Sequence, residues 1–185
     1  MWLPEPNPGS PPLMALGTIG PDGYPRSRHV LLSECGERGI YFHTDARSAK
    51  VTELANDPRA TVAVAWPSAA RQVVAHGDVM RASADEELSV YRRRGRYLQL
   101  LAWLNTEELA QFPTAERRAQ WAEFDRAHDR LDPPPDWAGF VLRPREIAFW
   151  RGDPDGPSQR IRYRRAGPVE DPETKAEWEV AVLPG

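Results

Sequence analysis

The chain is poor in three features that would each point to a class of protein. It has a single cysteine, Cys35, among 185 residues, which excludes an intrachain disulfide framework and a thiolate metal cluster. No segment approaches the roughly 20 apolar residues that a membrane-spanning helix needs. The formal net charge is −3, so no overall positive field attracts the chain to nucleic acid or to a membrane surface. Any site for an anion must therefore be a local cluster of cations.

Signatures of several common catalytic sites are also absent. The sequence contains no GxSxG nucleophile motif, no GxGxxG motif and no phosphate-binding P-loop. No two histidines stand at a metal-ligand spacing such as HxH or HExxH, so no metal site is expected. Cys35 lies in a predicted turn without an activating neighbour, which favours an unreactive surface thiol. If the protein is an enzyme, a bound cofactor supplies its chemistry.

Length and composition predict one domain over residues 1–185. Charged residues make up 28% of the chain and hydrophobic residues 41%, as is usual for a globular protein. Prolines crowd the start, MWLPEPNPGSPP, and predict an extended lead-in over residues 1–12. This start has no basic region followed by an apolar run, so we expect no signal peptide and a cytoplasmic location.

Short apolar segments separated by turns predict a mainly β fold with a few helices. Strands are predicted at 26–32, 40–44, 60–66, 72–82, 138–141, 146–151, 159–165 and 177–182, after a short apolar run at 13–19. Helices are predicted at 49–55 with Ser48 as cap, at 84–94, at 97–104, and at 114–130 with Thr114 as cap. A turn is predicted at 34–39. Together these elements indicate a β-barrel with helical inserts.

The segment RSRHVLLSECGERGIYFHTDARSAK, residues 26–50, collects cations and hydroxyls at the ends of two predicted strands. Arg47, Ser48 and Lys50 stand where a strand ends and a helix begins, and free N–H groups at a helix N-terminus bind anions. Arg28, on the neighbouring strand, can reach the same place. This arrangement predicts a phosphate site. The alternative is a solvated polar edge in which Ser48 only caps the helix.

Two other clusters are weaker indications of a site. The run at 92–96, RRRGR, ends a helix whose first turn is acidic, where cations are favoured without any ligand. It lacks the interleaved aromatic residues of a single-strand nucleic-acid binder. Near the C-terminus, Trp150 ends one predicted strand and Arg160 opens the next. A ring and a guanidinium at the two sides of a hairpin could flank a flat anionic ligand, or Trp150 could simply pack.

The order of these segments resembles the pyridoxamine 5′-phosphate oxidase family, with its FMN-binding split β-barrel. The resemblance extends from about residue 13 to residue 185. Its landmarks are ALGTIGPDGYP, RHVLLS, IYFHTDARSAK, ARQVVAHG, RRRGRYLQLLAWLN, WAGFVLRPREIAFWRG, QRIRY and the terminal WEVAVLPG. The resemblance implies an antiparallel, Greek-key-like barrel, FMN as cofactor, and a homodimer with the flavin at the subunit interface.

The resemblance also implies which residues hold the cofactor. Arg28 and Lys50 match the family's phosphate-binding positions, and Gln72 matches a glutamine that bonds the flavin. The family has a Gln-Ser pair that corresponds to Asn105 and Thr106 if this chain has a two-residue deletion relative to the family. If it has no deletion, Glu107 and Glu108 correspond to that pair and would lie beside a phosphate. The full implied set is Arg28, His29, Val30, Leu31, Ser33, His43, Thr44, Ser48, Lys50, Gln72, Asn105, Thr106, Trp150 and Arg160.

The departures from the family concern the substrate. Ser33 stands where the family has a substrate-contacting lysine. Residues 156–158, which read GPS and end in Ser158, stand where the family has an Arg-Leu-His loop. Arg94 is the remaining candidate for a substrate anion, so Arg94, Ser33 and Ser158 are the predicted substrate contacts. A phosphate monoester carries about −1.5 to −2 charge, and a pocket without the lysine, arginine and histidine would hold it poorly. The phenazine-biosynthesis branch of the family also has serine at the position of Ser33, although it keeps the Arg-Leu-His loop.

The resemblance therefore predicts an FMN-dependent oxidoreductase that acts on a small, aromatic metabolite. Hydride would pass to the flavin, and oxygen would reoxidise it. One alternative is a pyridoxamine or pyridoxine 5′-phosphate oxidase that binds its substrate through Arg94 and neighbouring arginines. Another is a flavin- or haem-binding split barrel without turnover. A deazaflavin could also replace FMN, as in related barrels. No catalytic residue is assigned, and neither nucleic acid nor a membrane is an expected partner.

Overall fold

The computed structural model describes residues 12–167 and 177–185. Most of the predicted lead-in, residues 1–11, lies outside these described residues. The strands are β1 (Leu13–Ile19), β2 (Pro25–Leu31), β3 (Glu34–Gly36), β4 (Gly39–Asp45), β5 (Arg59–Trp66), β6 (Arg71–Arg81), β7 (Trp137–Arg151), β8 (Gln159–Arg165) and β9 (Trp178–Pro184). The helices are α1 (Ala49–Asn56), α2 (Ala84–Arg93), α3 (Arg96–Leu104), α4 (Glu107–Ala110) and α5 (Thr114–Ala127), with a 3-10 turn at Pro67–Ala69.

The nine strands of the described residues form one antiparallel sheet in the order β2-β1-β5-β6-β7-β4-β3, with β8 and β9 continuing from the second half of β7. The sheet curls back on itself, so that the Ser33 N–H, just after β2, donates to the carbonyl of Tyr41 in β4 over 2.9 Å. The concave side buries one apolar cluster that includes Met14, Leu16 and Phe42. The predicted mainly β architecture with helical inserts is confirmed.

One long strand replaces two predicted ones. The sequence predicts separate strands at 138–141 and 146–151, but β7 runs unbroken from Trp137 to Arg151. Pro144, which has no N–H, is tolerated because β4 pairs with β7 only up to Leu142 and β8 pairs with it only from Glu146. On its other side, β6 has a register shift at His76/Gly77, where a Cβ on Gly77 would lie 1.9 Å from the Arg143 carbonyl oxygen.

Several boundaries differ from prediction for local reasons. The predicted turn at 34–39 contains the short strand β3, which pairs with β4, so Cys35 lies in an exposed strand rather than in the turn. Helix α5 begins at Thr114 with Pro113 as its N-cap, and it ends at Ala127 rather than at residue 130. Helix α2 carries a complete capping box between Ser83 and Glu86, which the prediction did not include. Helix α4 was not predicted.

Among residues 12–167 and 177–185, no helix combines the length and the apolar character that crossing a bilayer requires.

Candidate active site

A cavity of about 670 Å³ opens where β2 and β4 meet the N-terminus of α1, the end of α2 and the α3–α4 junction. This volume is typical of small-molecule sites. Most of the predicted site residues lie on its wall: His29, Val30, Leu31, His43, Thr44, Ser48, Lys50, Arg94, Asn105 and Thr106. The fold thus brings together residues that are far apart in the sequence.

The positive corner of the cavity is formed by Ser48 and Lys50 at the start of α1. Ser48 is the N-cap residue, but its hydroxyl donates to the Asp45 carbonyl over 2.7 Å and makes no side-chain cap. The first turn of α1 has no acidic residue. Lys50 Nζ donates to Thr44 Oγ1 over 2.9 Å, and burial, followed by the charge of Arg28, lowers the Lys50 pKa. This corner therefore concentrates positive charge beside open space, as an anion site requires.

Arg28 lies behind this corner and not on the cavity wall. Its Nη2 donates to Glu53 Oε2 over 2.6 Å, and its Nη1 donates to Thr18 Oγ1. Its charge nevertheless acts on Lys50, because it lowers the Lys50 pKa. The role of Arg28 in holding a phosphate stays a prediction.

The inner wall of the cavity is built from stacked side chains. His43, which is 7% exposed, stacks on Trp137 with ring centroids 5.1 Å apart, and its Nδ1 lies 2.9 Å from Ser33 Oγ. His43 Nε2 is buried without a hydrogen-bond partner among the described residues. Burial, and then the charge of Arg94, lower the His43 pKa to about 3, so the imidazole is neutral.

Arg94 is a partly buried cation at the same wall. Its guanidinium carbon lies 4.3 Å from the centroid of the Trp137 ring, and Nη2 lies 3.5 Å from Ser33 Oγ. Burial lowers the Arg94 pKa to about 10. In the part of the chain that the structure describes, no carboxylate forms an ion pair with Arg94, whereas its neighbour Arg93 pairs with Glu34 at 2.8 Å. Arg94 is therefore available to an anionic ligand.

The mouth of the cavity carries several acidic residues, of which sequence reasoning identified only Glu107 and Glu108. Arg47 binds Asp45 through Nη2 at 2.8 Å and lies 3.3 Å from Asp136, and all three line the cavity. Glu107 and Glu108 also lie on the wall, next to Asn105 and Thr106. Both alternatives for the family's Gln-Ser pair are therefore at the cavity. Thr106 Oγ1 is already engaged, because it accepts the Leu109 N–H over 3.2 Å.

Ser33 contacts His43 and Arg94 but is not itself a cavity-lining residue, and the remaining predicted site residues form a separate row on the far half of the sheet. Gln72 of β6 is paired with Trp150 of β7, and Trp150 is paired with Arg160 of β8. Ser158 directly precedes β8. None of these four lies on the wall of the 670 Å³ cavity, so one chain by itself does not unite the whole predicted set.

Comparisons with known proteins decide the family. Residues 7–151 match the family model described as pyridoxamine 5′-phosphate oxidase. Residues 137–183 match the model described as the pyridoxine 5′-phosphate oxidase C-terminal dimerisation region. The chain belongs to the pyridoxamine 5′-phosphate oxidase family. The predicted family, its oxidoreductase class and its FMN cofactor are thereby confirmed, and the second match supports the predicted homodimer.

Individual relatives in this family cover most of the chain. A pyridoxine/pyridoxamine 5′-phosphate oxidase of Salinibacter ruber is 35% identical over 173 residues, which cover 91% of this chain and 78% of the relative. The enzyme of the same name from Thermobifida fusca is 36% identical over 191 residues, which cover 98% of this chain and 80% of the relative. The crystal structure of PhzG from Burkholderia lata, in complex with tetrahydrophenazine-1-carboxylic acid, has 26% identity and a TM-score of 0.78, covering 95% of this chain and 83% of PhzG. This likeness confirms the split-barrel fold.

The residues present fit FMN, the cofactor of this family. Lys50 and Ser48 offer a cation and a hydroxyl to a phosphate, without an acid in the first turn of α1. Beyond that corner, the wall formed by residues 29–31 and by His43 leads toward the inner cavity. His43 Nε2, which has no hydrogen-bond partner among the described residues, is buried beside Gly139 and is not open to the cavity, so the fit rests on the positive corner.

The most informative residue that sequence reasoning missed is Trp137. It forms the floor against which both His43 and Arg94 lie. The signal available was a tryptophan two residues after the Pro133–Pro135 run, at the start of an apolar strand. Such a position is also typical of a packing residue, so the sequence alone does not assign it to a site.

Proposed function

We propose that this protein is an FMN-dependent oxidase of a small, flat ring metabolite that carries one carboxylate, and that it does not favour vitamin B6 phosphates. The observation that carries the proposal is the inner wall of the cavity, where the Arg94 guanidinium lies beside the Trp137 ring and has no ion-pair partner among the described residues. One guanidinium matches one carboxylate in charge and geometry. A phosphate monoester carries a charge of about −1.5 to −2, which a single guanidinium at this wall does not neutralise.

The residues around Arg94 support the same preference. Ser33, in place of the family's lysine, contributes a hydroxyl that engages His43 Nδ1 rather than a second cation. Arg93 is turned to Glu34 and so adds little to the cavity. FMN, when bound, supplies the hydride acceptor, and oxygen reoxidises it. The chain's own residues hold the carboxylate of the substrate at Arg94, whose guanidinium is positioned by the Trp137 ring.

We infer further that each flavin lies between two subunits. The row formed by Gln72, Trp150 and Arg160 lies outside the cavity of its own chain, and the residues from 137 to 183 belong to the family's dimerisation region. A second copy would bring this row to the cavity and complete the predicted set with Ser158. A cytoplasmic location also stays a prediction.

A second candidate function is oxidation of pyridoxine or pyridoxamine 5′-phosphate. It is favoured by relatives of that name that are 35% and 36% identical over most of the chain. Under this alternative Arg94 would bind the substrate phosphate with help from neighbouring arginines. The ion pair between Arg93 and Glu34 weakens it, because that arginine already has a partner.

The two candidates are separated by one kinetic comparison. Oxygen consumption by the FMN-loaded protein would be measured with pyridoxine 5′-phosphate and with a tetrahydrophenazine carboxylate as probes. We expect kcat/KM for the carboxylate to be higher by at least tenfold, about 1.4 kcal/mol. A higher kcat/KM for pyridoxine 5′-phosphate would overturn the proposal in favour of the second candidate.

A pair of variants makes this comparison specific to the inner wall. Arg94→Met keeps an apolar stem on Trp137 but removes the charge, and should lower kcat/KM for the carboxylate by about 10- to 100-fold. Ser33→Lys adds the family's second cation and should raise kcat/KM for pyridoxine 5′-phosphate relative to the carboxylate. If Ser33→Lys leaves that ratio unchanged, Ser33 is not what sets the preference.

A further inference from the structure

Helix α1 contains a buried carboxylate within one turn of the positive corner. Glu53 is 3% exposed, and it is the only buried carboxylate in the described residues. It follows Lys50 by three residues, so both side chains lie on neighbouring parts of the same helix face. A buried negative charge so close to a site for a phosphate opposes anion binding unless it is fully paired.

Glu53 is paired by a compact set of hydrogen bonds. Oε2 accepts from Thr18 Oγ1 over 2.5 Å and from Arg28 Nη2 over 2.6 Å, and Thr18 in turn accepts from Arg28 Nη1. Oε1 lies 3.4 Å from Arg26 Nη1. Thr18 is 1% exposed and belongs to β1, and Arg28 belongs to β2. The carboxylate therefore ties α1 to both strands from inside the protein.

The same carboxylate determines where the charge of Arg28 lies. A guanidinium has five N–H donors, and the bonds to Glu53 and Thr18 leave others free. From that position Arg28 lowers the Lys50 pKa, while Asp45 and Glu53 act in the opposite direction. Without Glu53, Arg28 and Lys50 would repel each other with no anion between them. The arginine would then be expected to turn toward solvent.

We infer that Glu53 is a positioning residue for the phosphate of FMN. It holds Arg28 behind Lys50 and fixes the N-terminus of α1 against β1 and β2, so that the positive corner is formed before the cofactor binds. The inference rests on the FMN site described above and assigns Glu53 no contact with the cofactor. It predicts that Glu53 affects binding through the phosphate and not through the flavin ring.

Riboflavin, which lacks the phosphate, provides the discriminating measurement. Binding of FMN and of riboflavin to the apoprotein would be titrated by quenching of flavin fluorescence. Glu53→Ala should weaken FMN binding by at least about tenfold and riboflavin binding by less than about twofold. Glu53→Gln retains an oxygen that accepts from Arg28 and Thr18, and it should restore FMN binding to within about threefold of the wild type.

Controls separate positioning from general stability. Asp57→Asn removes the carboxylate that pairs with Arg59 at the other end of α1, and it should leave both affinities unchanged. If Glu53→Ala does not fold by circular dichroism, Thr18→Val removes one bond of the same network while keeping the side-chain shape, and it should lower FMN binding selectively. An equal loss for FMN and riboflavin, or no loss, overturns the inference. A wild-type protein that binds neither flavin refutes the FMN site itself.

Discussion

Ser33 Oγ lies 2.9 Å from His43 Nδ1, and this contact links the end of β2 to β4 at the inner wall of the cavity. It occupies the one nitrogen of His43 that has a partner, while Nε2 remains buried without a hydrogen bond in the described chain. A protonated imidazole would need a second acceptor and would face the charge of Arg94. The geometry and the low His43 pKa therefore agree on a neutral ring.

The first prediction concerns pH. The His43 pKa is about 3 in the folded protein, below the value of 6.5 for a free histidine, so the unfolded chain takes up this proton first as the pH falls. The contribution of neutral His43 to stability is complete above pH 6.5 and is lost toward pH 3. Between pH 6.5 and 5 we expect a loss on the order of 1.5 kcal/mol in the free energy of unfolding.

Urea denaturation at several pH values tests this in the wild type and in His43→Asn. Asparagine keeps a hydrogen-bonding group toward Ser33 but does not titrate, so the variant should show a shallower decline between pH 6.5 and 5. The range from pH 5 to pH 6.5 lies above the pH at which carboxylates usually titrate, so carboxylates contribute little to the difference in stability between the two proteins. Parallel curves for the two proteins would show that His43 is not the group responsible.

The second prediction concerns the close approach of Gly139 to His43. A Cβ at residue 139 would lie 2.8 Å from Nε2 of His43, which is buried and stacked on Trp137, and 2.9 Å from Cγ of Glu87 in α2. Gly139→Ala should therefore destabilise the protein by about 1–3 kcal/mol. The measurement is the free energy of unfolding. Gly156→Ala is the control, because the nearest atom to its Cβ would be 3.8 Å away; equal stability of both variants would contradict the packing described.

Local patterns in the sequence were sufficient for the positive corner. Residues 43–50 form a strand end, a turn and a helix start, and their positions relative to one another follow from chemistry within eight residues. Most strand positions were equally local, since turn residues separate short apolar segments. The continuity of β7 could not be predicted locally, because a proline at residue 144 normally indicates a break. Pro144 is tolerated because the strand that pairs with this edge of β7 changes there from β4 to β8.

The inner wall and the mouth of the cavity could not be predicted in this way. Trp137 becomes a site residue only because the register of β4 and β7 places it opposite Asp45, and because Arg94 folds over it from the end of α2. The ion pair of Arg47 with Asp136 joins residues 89 positions apart. Likewise, the bond between Arg28 and Glu53 depends on how α1 packs on β1 and β2. These contacts join residues that are far apart in the chain, so no short segment of the sequence predicts them.

The third prediction tests Lys50 as a phosphate ligand. Lys50→Met keeps the aliphatic stem but removes the charge, and a hydrogen bond to a charged group contributes about 1.5–3 kcal/mol, so FMN binding should weaken by about 10- to 100-fold. Riboflavin binding should change by less than about twofold, because the missing interaction is with the phosphate. Fluorescence quenching reports both. Arg59→Gln, at the opposite end of α1, is the matched control; if it weakens FMN binding as much, the effect is not local to the corner.

The fourth prediction concerns the exposed apolar side of β9. Val180 is 58% exposed and Val182 is 78% exposed in the single chain, and both lie within the family's dimerisation region. Residues two apart in a strand share a face, so a partner subunit that covers one covers the other. Val180→Asp combined with Val182→Asp should convert the dimer to a monomer, measured by light scattering after size-exclusion chromatography.

The same double variant tests whether the flavin needs both subunits. If the row at Gln72, Trp150 and Arg160 completes the partner's site, the monomer should bind FMN at least about tenfold more weakly, a loss of about 1.4 kcal/mol or more. Glu123→Lys, on the exposed surface of α5, should leave both the mass and the affinity unchanged. A folded monomer that binds FMN as tightly as the wild type would mean that one chain holds the cofactor by itself, and that the row on β6, β7 and β8 has another role.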